Sequence, residues 1–433
     1  MREWRGTIAA VAVLAGAAQA QVRLPSVQLP RLPAQNITQA ADPTDLAAFG
    51  RLNARRLLKI ASLIRSNPRR IEADSHGEPI VRGEIMTFSP SEPALKTALA
   101  LGFVVLRDQT VADLEVRLLV LQPPPHISTA KALGRLRDAD PQGVYDFNHI
   151  YTSAGTAIDA AVPDNGSAAA PQKNRSDDGV HRIGLIDAGI DVTHPAFHAS
   201  PIHTWGCGSR SLPSVHGTAI ASVLVGDAPG FRGVLPGAQL YAADVYCDSP
   251  TGGAVDTLAD AFGWLAHERV AVINVSLVGP DNAMLARVVH ALTSRGILLV
   301  AAVGNDGPAA APLYPAAYPQ VVAVTAVDSH RRVLIEAGRG SHVMFAAPGA
   351  DMAAAGLGGK YAAVRGTSFA SPIVAGLFAM DLAAPDPAAV QGAVEAMARR
   401  AIDLGERGRD LTYGFGLVGA EYAVDPTALI QRP

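Results

Sequence analysis

Residues 366–372 read Gly-Thr-Ser-Phe-Ala-Ser-Pro, and this pattern predicts a helix that opens at Ser368. A second segment, Ile-Gly-Leu-Ile-Asp-Ala-Gly-Ile at 183–190, predicts a buried strand that ends at Asp187 before a glycine turn. A third segment reads His-Gly-Thr and begins an Ala/Val-rich helix at His216. In open α/β sheets, functional groups gather at the carboxyl ends of strands and at the helix starts that follow. All three polar residues occupy such positions.

The sequence around these segments alternates short apolar runs with helical windows. The runs are continuous and rich in β-branched residues, which indicates strands of a parallel sheet buried on both faces. We therefore predict a doubly wound, mostly parallel α/β domain over residues 179–425, followed by a tail at 426–433. Its predicted strands include Ile183 to Ile186, Leu240 to Val245, Val270 to Val275, Ile297 to Val303 and Val321 to Val324.

The N-terminus has the pattern of an export signal. Arg2 and Arg5 precede an apolar run at 8–17, and Ala-Gln-Ala follows at 18–20. The run is shorter than the roughly 20 apolar residues of a permanent membrane anchor. We predict a signal peptide at 1–20 and an exported protein, secreted or periplasmic, without a membrane anchor. The rival interpretation is a buried N-terminal helix.

Between the signal and the α/β domain we predict three segments. Residues 21–78 contain a Pro-rich linker and a helix over 44–66, whose apolar residues recur at steps of three and four. Residues 79–152 have the order strand, helix, strand, strand, helix, strand, which is a small α+β ferredoxin-like unit. Residues 153–178 are rich in Ala, Gly, Asn, Asp and Ser, which predicts a flexible, cleavable connector.

Composition excludes some classes of function. The chain has 433 residues, with 36 basic and 39 acidic side chains and a net charge of −3. This balance excludes a strongly basic nucleic-acid binder and gives no general attraction to anionic membranes. We expect no nucleic-acid partner, and we expect a monomer.

A serine, a histidine and an aspartate at these positions have a chemical rationale. A serine hydroxyl is a poor nucleophile until an imidazole removes its proton. The imidazole in turn needs a carboxylate on its other nitrogen, which fixes the tautomer and stabilises the imidazolium. Because Ser368 begins a helix, backbone N–H groups lie near the oxyanion that forms during acyl transfer.

The three segments closely resemble those of the subtilisin-like serine proteases, the subtilases. The order Asp187, His216, Ser368 is that of the family, and the resemblance extends over about residues 178–425. It implies that Ser368 is the nucleophile, His216 the general base and acid, and Asp187 the orienting carboxylate. The segment Ala-Ala-Val-Gly-Asn-Asp-Gly at 301–307 resembles the family's oxyanion loop, which makes Asn305 the side-chain oxyanion donor.

The same resemblance implies a substrate cleft. Ser276, Leu277, Val278 and Gly279 resemble the edge strand that pairs with an extended peptide, and Ala302 and Gly304 belong to the oxyanion loop. The family commonly has glycine where Val278 stands. Leu313 aligns near the floor of the primary specificity pocket, where relatives often keep a glycine. We therefore expect a preference for small or medium apolar side chains before the scissile bond.

Three alternative assignments agree less well with the sequence. An α/β-hydrolase requires a histidine after its serine, and no histidine follows Ser368. His194 and His198 are four residues apart, but Pro195 interrupts any ligand-bearing helix, so we predict no metal. Calcium is not predicted either, and the chemistry needs no cofactor. In an exported chain Cys207 and Cys247 favour a disulfide over free thiols.

The resemblance also extends to activation. The unit at 79–152 is similar in plan to subtilase propeptides, which implies a folding chaperone and intramolecular inhibitor. A permanent N-terminal domain remains the alternative. We interpret the chain as an exported serine endopeptidase that cleaves extended polypeptides and is made as an autoprocessing zymogen. The alternatives are a maturation peptidase or ligase for one partner, and a catalytically silent peptide-binding module.

Overall fold

The computed structural model describes residues 43–153, 156–162 and 181–429, so the predicted signal peptide lies outside the described residues. The first unit consists of a long helix, a small sheet with two helices, and two strands that leave it. Its elements are α1 (Pro43–Ser66), β1 (Ile71–Ala73), β2 (Pro79–Phe88), α2 (Glu92–Ala100), β3 (Val104–Val111), β4 (Val116–Gln122), α3 (Thr129–Ala139), β5 (Tyr145–His149), β6 (Thr152–Ser153) and β7 (Thr156–Val162).

The small sheet has the order β5-β2-β4-β3, and every neighbouring pair is antiparallel. The short strand β1 adds to the beginning of β2. Ser91 and Ser128 cap the helices α2 and α3 by accepting a backbone N–H in the first turn. The predicted order over residues 79–152 is present, and β1 is an addition to it.

The second unit is the predicted α/β domain, and its doubly wound fold is confirmed. Seven strands form one parallel sheet in the order β17-β16-β15-β13-β8-β12-β9. The elements are β8 (Arg182–Asp187), β9 (Ile202–Trp205), α4 (Val215–Val225), β10 (Asp227–Ala228), β11 (Phe231–Arg232), β12 (Gln239–Asp244), α5 (Val255–His267), β13 (Val272–Val275), β14 (Leu277–Val278), α6 (Ala283–Ser294), β15 (Leu298–Ala302), β16 (Val322–Val327), β17 (Val343–Pro348), β18 (Met352–Ala355), β19 (Tyr361–Arg365), α7 (Thr367–Asp381) and α8 (Pro387–Arg400).

Both faces of the parallel sheet are buried, which explains the continuous apolar runs. Leu185 of β8 packs in one core with α4 and α7, whereas its neighbour Ile186 packs in another with α5 and α6. The second core also takes in Met86 and Leu118 of the small sheet. The small sheet therefore lies on α5 and α6, with α2 and α3 on its other face.

One part of the connector prediction is wrong. Residues 153–178 were expected to be flexible, but residues 156–162 form β7, which pairs antiparallel with β19. Ser153 belongs to β6, which pairs with β14. Composition could not reveal these strands, because their partners lie more than 100 residues away in the sequence. Residues 154–155 and 163–178 of the predicted connector lie outside the described ranges.

Candidate active site

Three elements bring the proposed catalytic side chains together at the carboxyl ends of the strands of the parallel sheet. Asp187 is the last residue of the central strand β8, His216 lies in the first turn of α4, and Ser368 lies in the first turn of α7. The helices α4 and α7 pack against each other, and the rings of His216 and Phe369 lie 5.7 Å apart. The sequence segments singled out above thus converge at the carboxyl end of the sheet.

The aspartate and the histidine form a hydrogen-bonded pair. His216 Nδ1 and Asp187 Oδ1 are 2.8 Å apart, and the same oxygen accepts the Ala188 N–H at 2.7 Å. The carboxyl is 1% exposed, so little solvent screens the pair. Because ionised Asp187 can only accept, Nδ1 carries the proton and Nε2 is left with the free lone pair. That is the tautomer a general base requires.

The close approach of α4 to β8 depends on Gly217. A Cβ at this position would lie 2.2 Å from the Ala188 carbonyl oxygen, which is closer than any side chain tolerates. Ser214 caps the helix by accepting the N–H of His216, at 3.3 Å, and so holds the first turn. The His-Gly dipeptide is therefore a packing requirement of the site: the glycine lets the histidine reach the aspartate.

Ser368 and His216 are both buried, and no direct hydrogen bond joins their side chains. Ser368 Oγ and His216 Nε2 are both inaccessible to solvent, and neither has a hydrogen-bond partner among the described residues. Catalytic hydrogen bonds are often long or poorly aligned before substrate binds. Two buried, unsatisfied groups of complementary chemistry carry a free-energy cost, and such a cost is typical of a reactive site.

Asn305 is held in one orientation by the residue before the serine. Its Oδ1 accepts the backbone N–H of Thr367 at 3.0 Å, and an N–H can bond only to the oxygen of the amide. Thr367 Oγ1 in turn accepts the N–H of Gly304 at 3.2 Å. The Nδ2 group of Asn305 is therefore the one available to donate, as the oxyanion role requires. The role of Thr367 in this arrangement was not predicted from the sequence.

The strand beside Ser368 already holds an extended segment of the chain's own N-terminal unit. Thr152 and Ser153 of β6 pair antiparallel with Val278 and Leu277 of β14. On the other side, the N–H of Tyr151 donates to the Gly253 carbonyl at 2.9 Å. The segment is thus hydrogen-bonded on both sides, to β14 and to the chain at Gly253, which is how backbone pairing holds an extended peptide.

Tyr151 anchors this segment in a closed pocket. Its side chain is fully buried, and its hydroxyl donates to the Pro280 carbonyl. The ring lies so close to Gly279 that a Cβ there would come within 2.6 Å of it. Tyr151 was not a predicted site residue, because in the sequence it reads only as the end of a strand.

A second strand of the N-terminal unit, β7, pairs with β19 shortly before Ser368 in the sequence. Thr156 of β7 pairs with Arg365 of β19, three residues before Ser368, whereas Ser153 pairs with Leu277. Ser276, next to Leu277, donates through Oγ to the Ser368 carbonyl at 3.1 Å. β6 therefore pairs next to Ser276, which contacts Ser368, and β7 pairs at Arg365, with only residues 154–155 between the two strands in the sequence.

The predicted specificity residues form one small apolar cluster. Val278, Ala302 and Leu313 contact each other, and each is less than a tenth exposed. Gly304 faces them: a Cβ there would lie 2.6 Å from Leu313 Cδ1 and 3.6 Å from Val278 Cγ1. The branched side chains of Leu313 and Val278 thus fill the space in front of the oxyanion loop.

Cys207 and Cys247 are joined, with a sulfur–sulfur distance of 2.08 Å. They lie beside Asp244, and within the described ranges these three residues are the one group of His, Cys, Asp or Glu side chains arranged closely enough to hold a metal ion. Bonded sulfurs are not thiolates, so the group lacks the ligands that such a site needs. Burial raises the pKa of Asp244, and the nearby charge of Asp187 raises it further.

The two histidines considered above as metal ligands, His194 and His198, do not form a metal site among the described residues. His194 Nδ1 accepts the N–H of Ala196 at 3.1 Å, and Nε2 lies 3.0 Å from the Lys360 carbonyl oxygen, to which it donates. Both ring nitrogens of His194 are therefore used in fixing the turn that follows Asp187. His198 caps the short helical turn at Pro195–Phe197 through its backbone.

These features define a class: α/β proteins that carry serine, histidine and aspartate side chains at the carboxyl edge of a parallel sheet, next to an oriented asparagine amide. A profile described as the subtilase family matches residues 180–416. This match covers more than half of the chain, and the chain belongs to the subtilase family of serine peptidases.

Similar proteins agree with this assignment. Minor extracellular protease Epr of Bacillus subtilis (strain 168) is 34% identical over 245 residues, covering 55% of this chain and 37% of the relative. Subtilisin E of the same strain is 35% identical over 215 residues, covering 46% of this chain and 55% of the relative. The crystal structure of fervidolysin from Fervidobacterium pennivorans is similar in fold, with a TM-score of 0.63 and 19% identity, over 84% of this chain and 62% of that chain. This chain thus spans less than two thirds of each.

Proposed function

We propose that this protein is an exported serine endopeptidase, made as a zymogen that cuts its own N-terminal unit away. The observation that carries the proposal is the extended segment at Thr152–Ser153, which pairs with β14 beside Ser368 and the Asp187–His216 pair. A peptide backbone in that position, next to a serine at a helix start, is arranged as a substrate.

The reaction follows from the roles that the geometry supports. Nε2 of His216 takes the proton of Ser368 Oγ as that oxygen attacks the peptide carbonyl carbon. Asn305 Nδ2 and the backbone N–H of Ser368 donate to the oxyanion. Protonated His216 gives its proton to the leaving amine as the C–N bond breaks, and Asp187 stabilises the imidazolium. Water then resolves the acyl-enzyme by the same steps, with His216 again as the base.

The segment between β6 and β7 is the proposed site of self-cleavage. Ser153 pairs with Leu277 and Thr156 with Arg365, which supports a cut at a bond within residues 153–156. Ser153 pairs with Leu277, the neighbour of Ser276, whose Oγ donates to the Ser368 carbonyl. We therefore expect cleavage after Ala154, whose small side chain suits a pocket filled by Val278 and Leu313.

Export is part of the proposal. No helix among the described residues is long and apolar enough to cross a membrane, and one relative carries the word extracellular in its name. The predicted signal at 1–20 lies outside the described residues. Expression of the full chain in a bacterial host, with N-terminal sequencing of the exported form, tests whether it is removed.

The central test compares the intact mass of purified wild type with Ser368→Ala, with Ser341→Ala as a control at an exposed serine. Wild type and the control should lose the N-terminal unit by a cut within 153–156, and Ser368→Ala should keep it. A fluorophosphonate probe should label Ser368 of the processed protein. A folded wild-type chain that neither cleaves itself nor reacts with the probe would support a silent peptide-binding module instead. An acyl intermediate that resolves only with an added amine would indicate a ligase.

A further inference from the structure

Helix α1 lies outside the strand–helix order of the small sheet, and it covers the substrate cleft. A cavity beside Thr152 and Ser153 is walled on one side by Leu52, Arg56 and Lys59 of α1. On its other side stand Val278, Asn305 and Asp306 of the α/β domain. The helix thus lies across the segment held by β14, next to the oxyanion loop.

One arginine of α1 joins the two units. Both terminal nitrogens of Arg56 donate to the carboxylate of Glu78, each at 2.7 Å. Its Nε lies 3.0 Å from Asp306 Oδ2, and Asp306 directly follows Asn305. The three side chains are only 14–16% exposed. We call this set, Glu78, Arg56 and Asp306, the latch.

The second half of α1 is held on an apolar base. Leu63 and Ile64 pack against a cluster formed by Ile71, Ile150 and Ala254. Ile71 belongs to β1 and Ala254 to the start of α5, so this cluster also spans the two units. The helix is therefore fixed at one end by apolar contact and tied over the cleft by the latch.

The latch lies where water screens charge weakly. Burial raises the pKa of Asp306 in spite of the nearby positive charges of Arg56 and Lys59. Removing one partner from such a pair leaves the other charge buried without compensation, which costs far more than the loss of a surface pair. The contact therefore controls how tightly the helix stays over the cleft.

We propose that α1 is an autoinhibitory strap, closed by the Glu78–Arg56–Asp306 latch, that keeps the cleaved N-terminal unit in the substrate cleft. The inference rests on the proposed function, since it concerns the interval between self-cleavage and the appearance of activity. β6 blocks the cleft by pairing with β14, and α1 prevents β6 from leaving.

The test follows two events in the full chain, namely the cut, seen by intact mass, and the rise of peptidase activity on a peptide amide. Arg56→Gln should cut at the wild-type rate but shorten the interval between the two events about tenfold, because the buried charge pair with Asp306, which joins the two units, is lost. Arg65→Gln, an exposed change on the same helix, should leave the interval unchanged. An Arg56→Gln interval within twofold of wild type overturns the strap.

A second measurement separates the strap from a general loss of folding. In the uncleavable Ser368→Ala background, Arg56→Gln should speed amide hydrogen exchange in residues 56–66 and leave β2 protected. Faster exchange in β2 as well would mean that the small domain itself unfolds, which overturns the proposal. If the wild-type chain neither cuts nor becomes active, the proposed function fails, and the strap, which depends on it, is overturned with it.

Discussion

Leu313→Ala should change the side chain that the protease accepts before the scissile bond. Leu313, Val278 and Ala302 fill the space in front of Gly304, and Leu313 is 7% exposed. Alanine removes three carbon atoms from this cluster. At about 0.8 kcal/mol for each buried methylene, a substrate side chain that occupies the vacated space gains about 2.4 kcal/mol. That corresponds to a change of about 60-fold in relative kcat/KM.

The assay uses two peptide amides that differ only in having Ala or Phe before the scissile bond. The ratio of kcat/KM for Phe to that for Ala should rise about 60-fold in Leu313→Ala. Labelling of Ser368 with a fluorophosphonate gives the concentration of active enzyme, so partial misfolding does not affect the ratio. Leu357→Ala, at a residue 39% exposed, is the matched control and should not change the ratio. A change below threefold in a variant that labels normally would refute the filled-pocket reasoning.

Three further changes have defined outcomes. Asn305→Leu should lower turnover about 100- to 1,000-fold with KM little changed, a magnitude that comes from subtilisin itself, and a loss below tenfold would contradict the oxyanion role. Replacing Cys207 and Cys247 with serine opens a loop of 40 residues and should lower the free energy of unfolding by about 4 kcal/mol in urea titrations of the Ser368→Ala chain; two free thiols in the unreduced protein would contradict the bond. Burial, reinforced by the charge of Arg409, lowers the pKa of His342 from 6.5 to about 4, so its contribution to stability is full above pH 6.5 and is lost as the pH falls toward 4. On acidification the free energy of unfolding of His342→Gln should therefore fall by about 3 kcal/mol less than that of wild type. Equal falls in both proteins would contradict this assignment.

Local sequence was sufficient to predict the elements that carry the site. A buried β-branched strand, an acid at its end and a glycine turn can be recognised within eight residues, so β8 and Asp187 were predicted correctly. The same holds for the helices that begin beside His216 and Ser368, since parallel strands must place such helix starts at one edge of the sheet. The pairing of Asp187 with His216 then follows from the fold.

Other features depend on contacts between distant parts of the chain. Residues 156–162 have no apolar period, yet they form β7, because β19 supplies the backbone partners. Tyr151 has no motif around it, and its role depends on Gly253 and Gly279 about 100 residues later. No spacing rule connects such positions.

The sequence by itself determined the class of fold, the order of its elements and the positions of the proposed catalytic side chains in those elements. These depend on short-range pattern, on the period of apolar residues and on the few residue types that can perform acyl transfer. Tertiary structure alone decided that β6 lies against β14, that α1 lines a cavity beside Thr152 and Ser153, and that Arg56 reaches Asp306. Those contacts join units separated by more than 120 residues, and their free energy depends on burial and on surface fit, which a linear pattern does not encode.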